Sequence, residues 1–266
     1  MIIVEKQILS KYGDTLHNED AVWIGESFCM VADGVTSKSG RLFDGKSGGR
    51  VAVECIVATL QELRGDEDAE TAFERIREKI QKFIEMHDIR EPEDIQASVL
   101  IYSNKRRELW SVGDCQYLIN GTYYKNEKKS DIVLSQLRRM AIEALLTEGY
   151  TEAELLARDT AREMILPFLK LQARFVNRKD TAFGYAVVNG QQAVSHIDIH
   201  PIPAGSELVM ASDGYPVLKD TLEESEALLR QALEEDPLCY RHYPGTKGVS
   251  ATGCSFDDRA YLKIIT

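Results

Sequence analysis

Asn120-Gly121 and Asn189-Gly190 each stand between short β-prone runs. An Asn-Gly pair accepts the left-handed backbone angles of a two-residue hairpin turn, so it joins neighbouring strands antiparallel. On this reading 116–119 runs into the first turn, and 181–188 and 193–199 form a hairpin about the second. Parallel strands need long crossover connections, so two such turns exclude a Rossmann-like βαβ array. Further strand signals lie at 1–10, read as an edge strand, and at 97–102, 108–112, 207–211 and 259–265. Short apolar runs at 21–24 and 28–32 flank Gly25-Glu26, a second kind of hairpin. Helical spacing marks a segment from a Ser47 cap to 63, with Val51, Cys55, Ala58 and Leu63 near one face. It also marks 72–86, where Phe73, Ile76, Ile80, Phe83 and Ile84 recur, and 222–233. From 131 to about 173 the pattern is helical again, with Thr151-Glu152-Ala153-Glu154 as the start of its second piece. Helices packed on two antiparallel sheets that lie face to face fit this order best. We expect an α+β fold, a four-layer α-β-β-α sandwich. One domain over 1–266 with a helical insertion at about 131–173 is the simplest division.

Composition limits the partners. The 266 residues carry a formal charge of -11. That argues against nonspecific nucleic-acid binding, which needs a basic face, and predicts repulsion from anionic membranes. No apolar stretch approaches the roughly 20 residues of a membrane-spanning helix, and the first residues are charged too soon for a signal peptide. The five cysteines (Cys29, Cys55, Cys115, Cys239, Cys254) form no CxxC pair, a pattern of reduced thiols. A cytoplasmic protein is expected. His196 and His200 fall in strand and loop, so a zinc site is a weak reading.

Four acidic motifs are spread over the chain: Asn18-Glu19-Asp20, Ala32-Asp33-Gly34, Ala211-Ser212-Asp213-Gly214 and Asp257-Asp258. The middle two follow strand-like runs, the first precedes one and the last opens one. Carboxylates from both ends of a chain meet only through folding, and once gathered they repel unless a cation holds them. Mg²⁺ and Mn²⁺ prefer such hard oxygen ligands. The motifs predict a binuclear metal site and metal-assisted hydrolysis. No nucleophile motif competes with this: Cys239 is followed by Tyr240 and Arg241, not by the Cys-x5-Arg loop of the cysteine phosphatases.

These motifs, with Trp110-Ser111-Val112-Gly113-Asp114-Cys115 between them, resemble the ordered motif set of the PPM family, the type 2C metal-dependent protein serine/threonine phosphatases. The resemblance spans nearly the whole chain and implies the same paired-sheet fold. It implies two Mn²⁺ or Mg²⁺ ions sharing a bridging water or hydroxide, and a phosphorylated protein as substrate. Asp33 would bridge the ions. Glu19 and the Gly34 carbonyl would serve one ion, and Asp213 and Asp257 the other. Asp257 is preferred to Asp258 as the ligand. Asp20 would hydrogen-bond metal-bound water, and Asp114 matches the position of a third, weaker metal. Gly48-Gly49 would let a helix start approach the metal loop. The chain departs from the pattern where relatives carry a phosphate-gripping arginine before the first motif. Lys11 is the nearest cation, and His17, Lys38, Arg41 and Arg259 are candidates for the role. Val35-Thr36-Ser37 stand where some relatives have a histidine. A catalytically weak binding module, or a hydrolase of a non-protein phosphorylated substrate, is the alternative.

Overall fold

Every side chain from Phe28 to Ala32 is buried, and consecutive ones enter different cores. Cys29 and Val31 pack with Leu100, Leu208, Met210 and Leu262, whereas Phe28, Met30 and Ala32 pack with Val51, Ile56 and Ile76. This is the two-residue period of a strand covered on both faces. The computed structural model describes residues 1–14, 17–36, 40–89 and 95–266. The chain runs through β1 (Ile2–Leu9), β2 (Ala21–Ile24), β3 (Phe28–Gly34), β4 (Leu42–Phe43) and β5 (Lys46–Ser47) into helices α1 (Gly48–Glu62) and α2 (Ala69–Met86). Next come β6 (Gln96–Ser103), β7 (Glu108–Val112), β8 (Gln116–Ile119) and β9 (Thr122–Lys125), then α3 (Lys129–Thr147), α4 (Glu152–Ala157) and α5 (Thr160–Leu171). It ends with β10 (Val188–Asn189), β11 (Asp198–Pro201), β12 (Glu207–Ala211), α6 (Leu222–Glu235) and β13 (Arg259–Ile265).

Among the described residues, the strands form two large antiparallel sheets and the small β4-β5 pair. One large sheet has the order β1-β13-β12-β8-β9 and the other β11-β7-β6-β3-β2, with β10 also on β6. The sheets share the core that holds Cys29, Val31, Tyr117 and Met210. Helices α1 and α2 cover the outer face of the β3-β6 sheet. Helix α6 covers the other sheet through Leu229, which packs with Val209, Ala211 and Tyr261. The result is the expected α-β-β-α sandwich, with β1 at an edge.

Local signals explain the starts of the elements. The Ser47 hydroxyl accepts the Arg50 N–H, Asp68 caps α2 at Thr71, and Thr151 with Glu154 completes a capping box. The Asp68 cap places the start of α2 at Ala69, inside the polar stretch before 72. The helices at 129–171 have small cores of their own, such as Leu134, Ile165 and Leu169. Arg138 of α3, fully buried, binds the Asp159 carboxylate and donates to the carbonyls of Leu238, Cys239 and Gly245. These helices are thereby fastened to the loop that follows α6.

One expected hairpin is not formed. Asn120 and Gly121 adopt φ of 48° and 78° and join β8 to β9 as a two-residue turn. Asn189 instead ends β10, which pairs with β6, and β11 pairs with β7. The Asn189 side chain accepts the N–H groups of Gln191 and Gln192. Gly190 lies against α2, where a Cβ would sit 2.7 Å from the Gln81 nitrogen. Packing against a helix, not a hairpin, uses this second Asn-Gly pair. No helix among the described residues is long and apolar enough to cross a membrane.

Candidate functional site

The acidic motifs come together because the strands that carry them are neighbours. Strand β3 ends in Asp33-Gly34, and β6 lies beside it with Ser98 opposite Asp33. The Ser98 hydroxyl donates to Asp114 Oδ1 at 2.6 Å, which draws in the β7–β8 loop. In the other sheet, Asp213 follows β12, and Asp257-Asp258 precede β13, its partner in register. The Glu19 N–H donates to Asp258 Oδ2 at 2.8 Å and the Lys11 N–H to Asp258 Oδ1 at 2.8 Å. Asp258 is buried and ties the first motif to the last, while Asp257 is left toward the cleft. A Cβ on Gly34 would sit 2.6 Å from the Gly49 carbonyl carbon and 2.6 Å from the Glu19 carbonyl oxygen. The start of α1, the end of β3 and the Glu19 loop therefore meet with no room for a side chain, as expected for Gly48-Gly49.

The carboxylates do not share one electrostatic state. Burial first, then repulsion from Asp213, Asp20, Asp257 and Asp114, pushes the Asp33 carboxyl well above the ordinary range. Asp20 is raised too, by burial first, which the Ser212 hydroxyl opposes, and then by Asp258, Asp257 and Asp213. Its Oδ2 is buried without a hydrogen-bond partner. Burial, Asp114 and Asp257 push Asp213 up to about 6. Asp213 itself keeps contact with solvent.

Asp257 behaves in the opposite way. Burial raises it, but Lys247 and Lys11 outweigh burial and hold the carboxyl below its usual range. Lys247 Nζ is paired with Asp257 Oδ2. Lys11 Nζ lies 3.4 Å from Asp257 Oδ1, 3.6 Å from Glu19 Oε2 and 3.7 Å from Asp258 Oδ2. It is also 3.3 Å from the Thr36 hydroxyl, which donates to Glu19 Oε2 at 2.7 Å. Among the described residues, no three acidic, His or Cys side chains converge closely enough, as they stand, to hold one ion.

Of the cations proposed for phosphate capture, His17 is exposed and bonded to Asp14, and Arg259 is engaged with Glu226 of α6. Arg41 is exposed, and Lys38 lies outside the described residues. Cations that do border the acidic cluster include Lys11, Lys247, Lys125, whose charge faces Asp213 and Asp114, and Lys128, which also faces Asp114. Lys247 and Lys125 carry no sequence signal, since neither belongs to a motif. Two cavities adjoin the cluster. One, of about 450 Å³, is bordered by Asp213, Asp257, Lys125 and Lys247 on one side and by α3 residues Ile132 and Ser135 on the other. The second, of about 580 Å³, is lined by Arg178, Lys179, Tyr185 and His196. Asp114 and Lys128 border both.

Comparison with known proteins bears on the family and the fold. The protein phosphatase 2C family model matches residues 10–236. The fold is similar to that of the catalytic domain of the serine/threonine protein phosphatase PstP, solved with two manganese ions, at 16% identity and a TM-score of 0.51 over 100% of both chains. A mutant bacterial serine phosphatase is similar at 13% identity and a TM-score of 0.51, over 99% of this chain and 97% of the other. PstP/Ppp of Mycobacterium tuberculosis aligns at 16% identity with a TM-score of 0.49, over 99% of this chain and 98% of that one. No curated protein matches the chain.

Proposed function

The chain belongs to the protein phosphatase 2C family, and on that premise we propose that it hydrolyses phosphoserine or phosphothreonine on proteins with the help of divalent cations. The observation that carries this reading is the gathering of Asp20, Asp33, Asp114, Asp213 and Asp257 at one end of the sandwich, with Asp33 raised by burial and then by the other four. The donor set fits Mn²⁺ or Mg²⁺. Its atoms are hard oxygens, and among the described residues the Asp20 Oδ2 atom is buried and unpartnered. Asp33, the Gly34 carbonyl and Glu19 would hold one ion, and Asp213 with Asp257 a second. Asp114 would belong to a third, weaker site. Cations bound there would supply positive charge to the phosphoryl oxygens and acidify water for attack on phosphorus.

The chain's own groups do the rest. Asp20 is placed to accept a proton through its free oxygen. Ser98 orients Asp114, and Thr36 orients Glu19. Lys125 and Lys247 border the 450 Å³ cavity, where an anionic substrate would meet positive charge. We read 1–266 as one catalytic domain in which 131–173 is an insertion that forms a wall of that cavity and contributes to substrate choice. A second reading, a binding module with weak turnover, is favoured by one observation: Asp257 already has two lysine partners.

Hydrolysis of p-nitrophenyl phosphate decides between them. We expect turnover with Mn²⁺, none with EDTA, and none from Asp33→Ala with Mn²⁺. Wild-type protein that binds Mn²⁺ and turns nothing over would favour the binding module. Phosphopeptides against small phosphorylated metabolites then test the substrate class.

A further inference from the structure

One carboxylate of the cluster differs from its neighbours. Both oxygens of Asp257 are engaged by ammonium groups, Oδ2 by Lys247 and Oδ1 by Lys11 at 3.4 Å. Lys11 is 12% exposed and is held by Asp258 and the Thr36 hydroxyl as well, so its position does not depend on Asp257 alone. Lys247 stands on the loop after α6, which is fastened from the other side: Arg162 of α5 donates to the Thr246 carbonyl at 2.5 Å, and Arg138 to Gly245 at 3.2 Å. Two independent scaffolds, the N-terminal strand end and the helices at 129–171, therefore deliver one lysine each to the same carboxylate. By contrast, neither lysine is paired with Asp33, Asp20 or Asp213; of the groups assigned to the other ion, Glu19 alone meets one of them, Lys11 at 3.6 Å.

We propose that Lys11 and Lys247 act as a built-in counter-cation for Asp257, so that a divalent cation reaches Asp257 only by displacing them. This rests on the phosphatase reading above. Two part-buried ammonium groups at hydrogen-bond range oppose a cation both by occupying its ligand oxygens and by their charge. The cluster is then asymmetric. The site around Asp33 fills first, and the Asp213–Asp257 site fills only at higher cation concentration.

The test is calorimetric titration of EDTA-stripped protein with MnCl₂, with free Mn²⁺ counted by electron paramagnetic resonance. Wild type should show two unequal affinities. Lys247→Met should tighten the weaker one alone by about tenfold, the scale of one part-buried ion pair; Lys11→Met should tighten it too, and with it the Glu19 site that Lys11 also faces. Lys247→Arg, which keeps the charge, should stay near wild type. Lys125→Met is the control for long-range charge, since Lys125 faces Asp213 and Asp114. Lys247 is 29% exposed on its side chain, so its variants should fold even if Lys11→Met does not. Equal weaker-site affinity in wild type and Lys247→Met overturns the proposal, as does equal tightening by Lys125→Met. Absence of Mn²⁺ binding in every variant would overturn it together with the metal-dependent reading, whereas two tight sites in wild type would overturn the proposal alone.

Discussion

The two halves of the acidic cleft solve the same problem differently. Asp20, Asp33 and Asp213 are crowded by one another and by protein, and their carboxyls are pushed up. Asp257, a few residues from β13, is held down by Lys247 and Lys11. The first half is left with charge that needs a cation from outside. The second is compensated from within, by Lys11 from the other end of the chain and by Lys247 from the neighbouring loop. A cluster of carboxylates is thus not one electrostatic object, and its members should respond differently to mutation, metal and pH.

The largest difference should come from removing the centre of the uncompensated half. Asp33→Asn is expected to bring phosphatase turnover to the level of the EDTA blank. The same change should raise the melting temperature of the metal-free protein, because a neutral amide relieves the repulsion of Asp213 and Asp20. Lys247→Met should leave the melting temperature of stripped protein unchanged or lower, since it uncovers a carboxylate. If both variants moved stability the same way, the contrast between the halves would be lost.

Next in size is the strut behind the compensated half. Arg138 is fully buried and joined to Asp159 and to three carbonyls. Arg138→Met leaves those carbonyls and a carboxylate without their donor, which should cost roughly 3 kcal/mol in urea unfolding. It should also free the loop of Lys247 and so tighten the weaker Mn²⁺ site. Gly49→Ala tests the other half. Its Cβ would meet the Gly34 carbonyl carbon at 2.5 Å, so α1 must move off the end of β3. We expect a loss of about 1–3 kcal/mol, with weaker binding at the tighter Mn²⁺ site. Unchanged metal affinity there would separate the glycine contact from the site.

What could be read in the chain follows the same division. The carboxylates at strand ends were legible because each sits beside an apolar run whose period marks a strand, and the structure gathers them at one end of the sandwich. The Asn120-Gly121 turn was legible because its geometry is local. Asn189-Gly190 carries the same letters, yet its pairing is decided by β6 and α2, which lie some hundred residues away in sequence. Lys247 was invisible for the same reason. Its meeting with Asp257 depends on Arg138 and Arg162 holding a loop, and no local pattern encodes that. Lys11 was visible only as the cation nearest the first motif.

The smallest effect, and the one that reads both halves in a single experiment, is the pH dependence of the metal-free protein. Asp213 has its pKa raised from 3.8 to about 6 on folding. Between those values the folded state keeps a proton that the unfolded state has released, so stability falls as pH rises from about 4 to about 6. Asp33 and Asp20 are raised as well, by burial first, so their contributions have the same sign. Asp257 is lowered, so its contribution has the opposite sign: it is present above 3.8 and lost only as pH drops below that value. Thermal melts in EDTA should therefore give a falling stability from about pH 4 to about pH 6, and Asp213→Asn should make that slope shallower. The change will be modest, because Asp213 is exposed and salt screens it. Added Mn²⁺ should reverse the trend, since a cation favours the charged carboxylates and stabilises more at pH 7 than at pH 5. An Asp213→Asn slope identical to wild type would show that Asp213 is not among the groups that burden the metal-free fold.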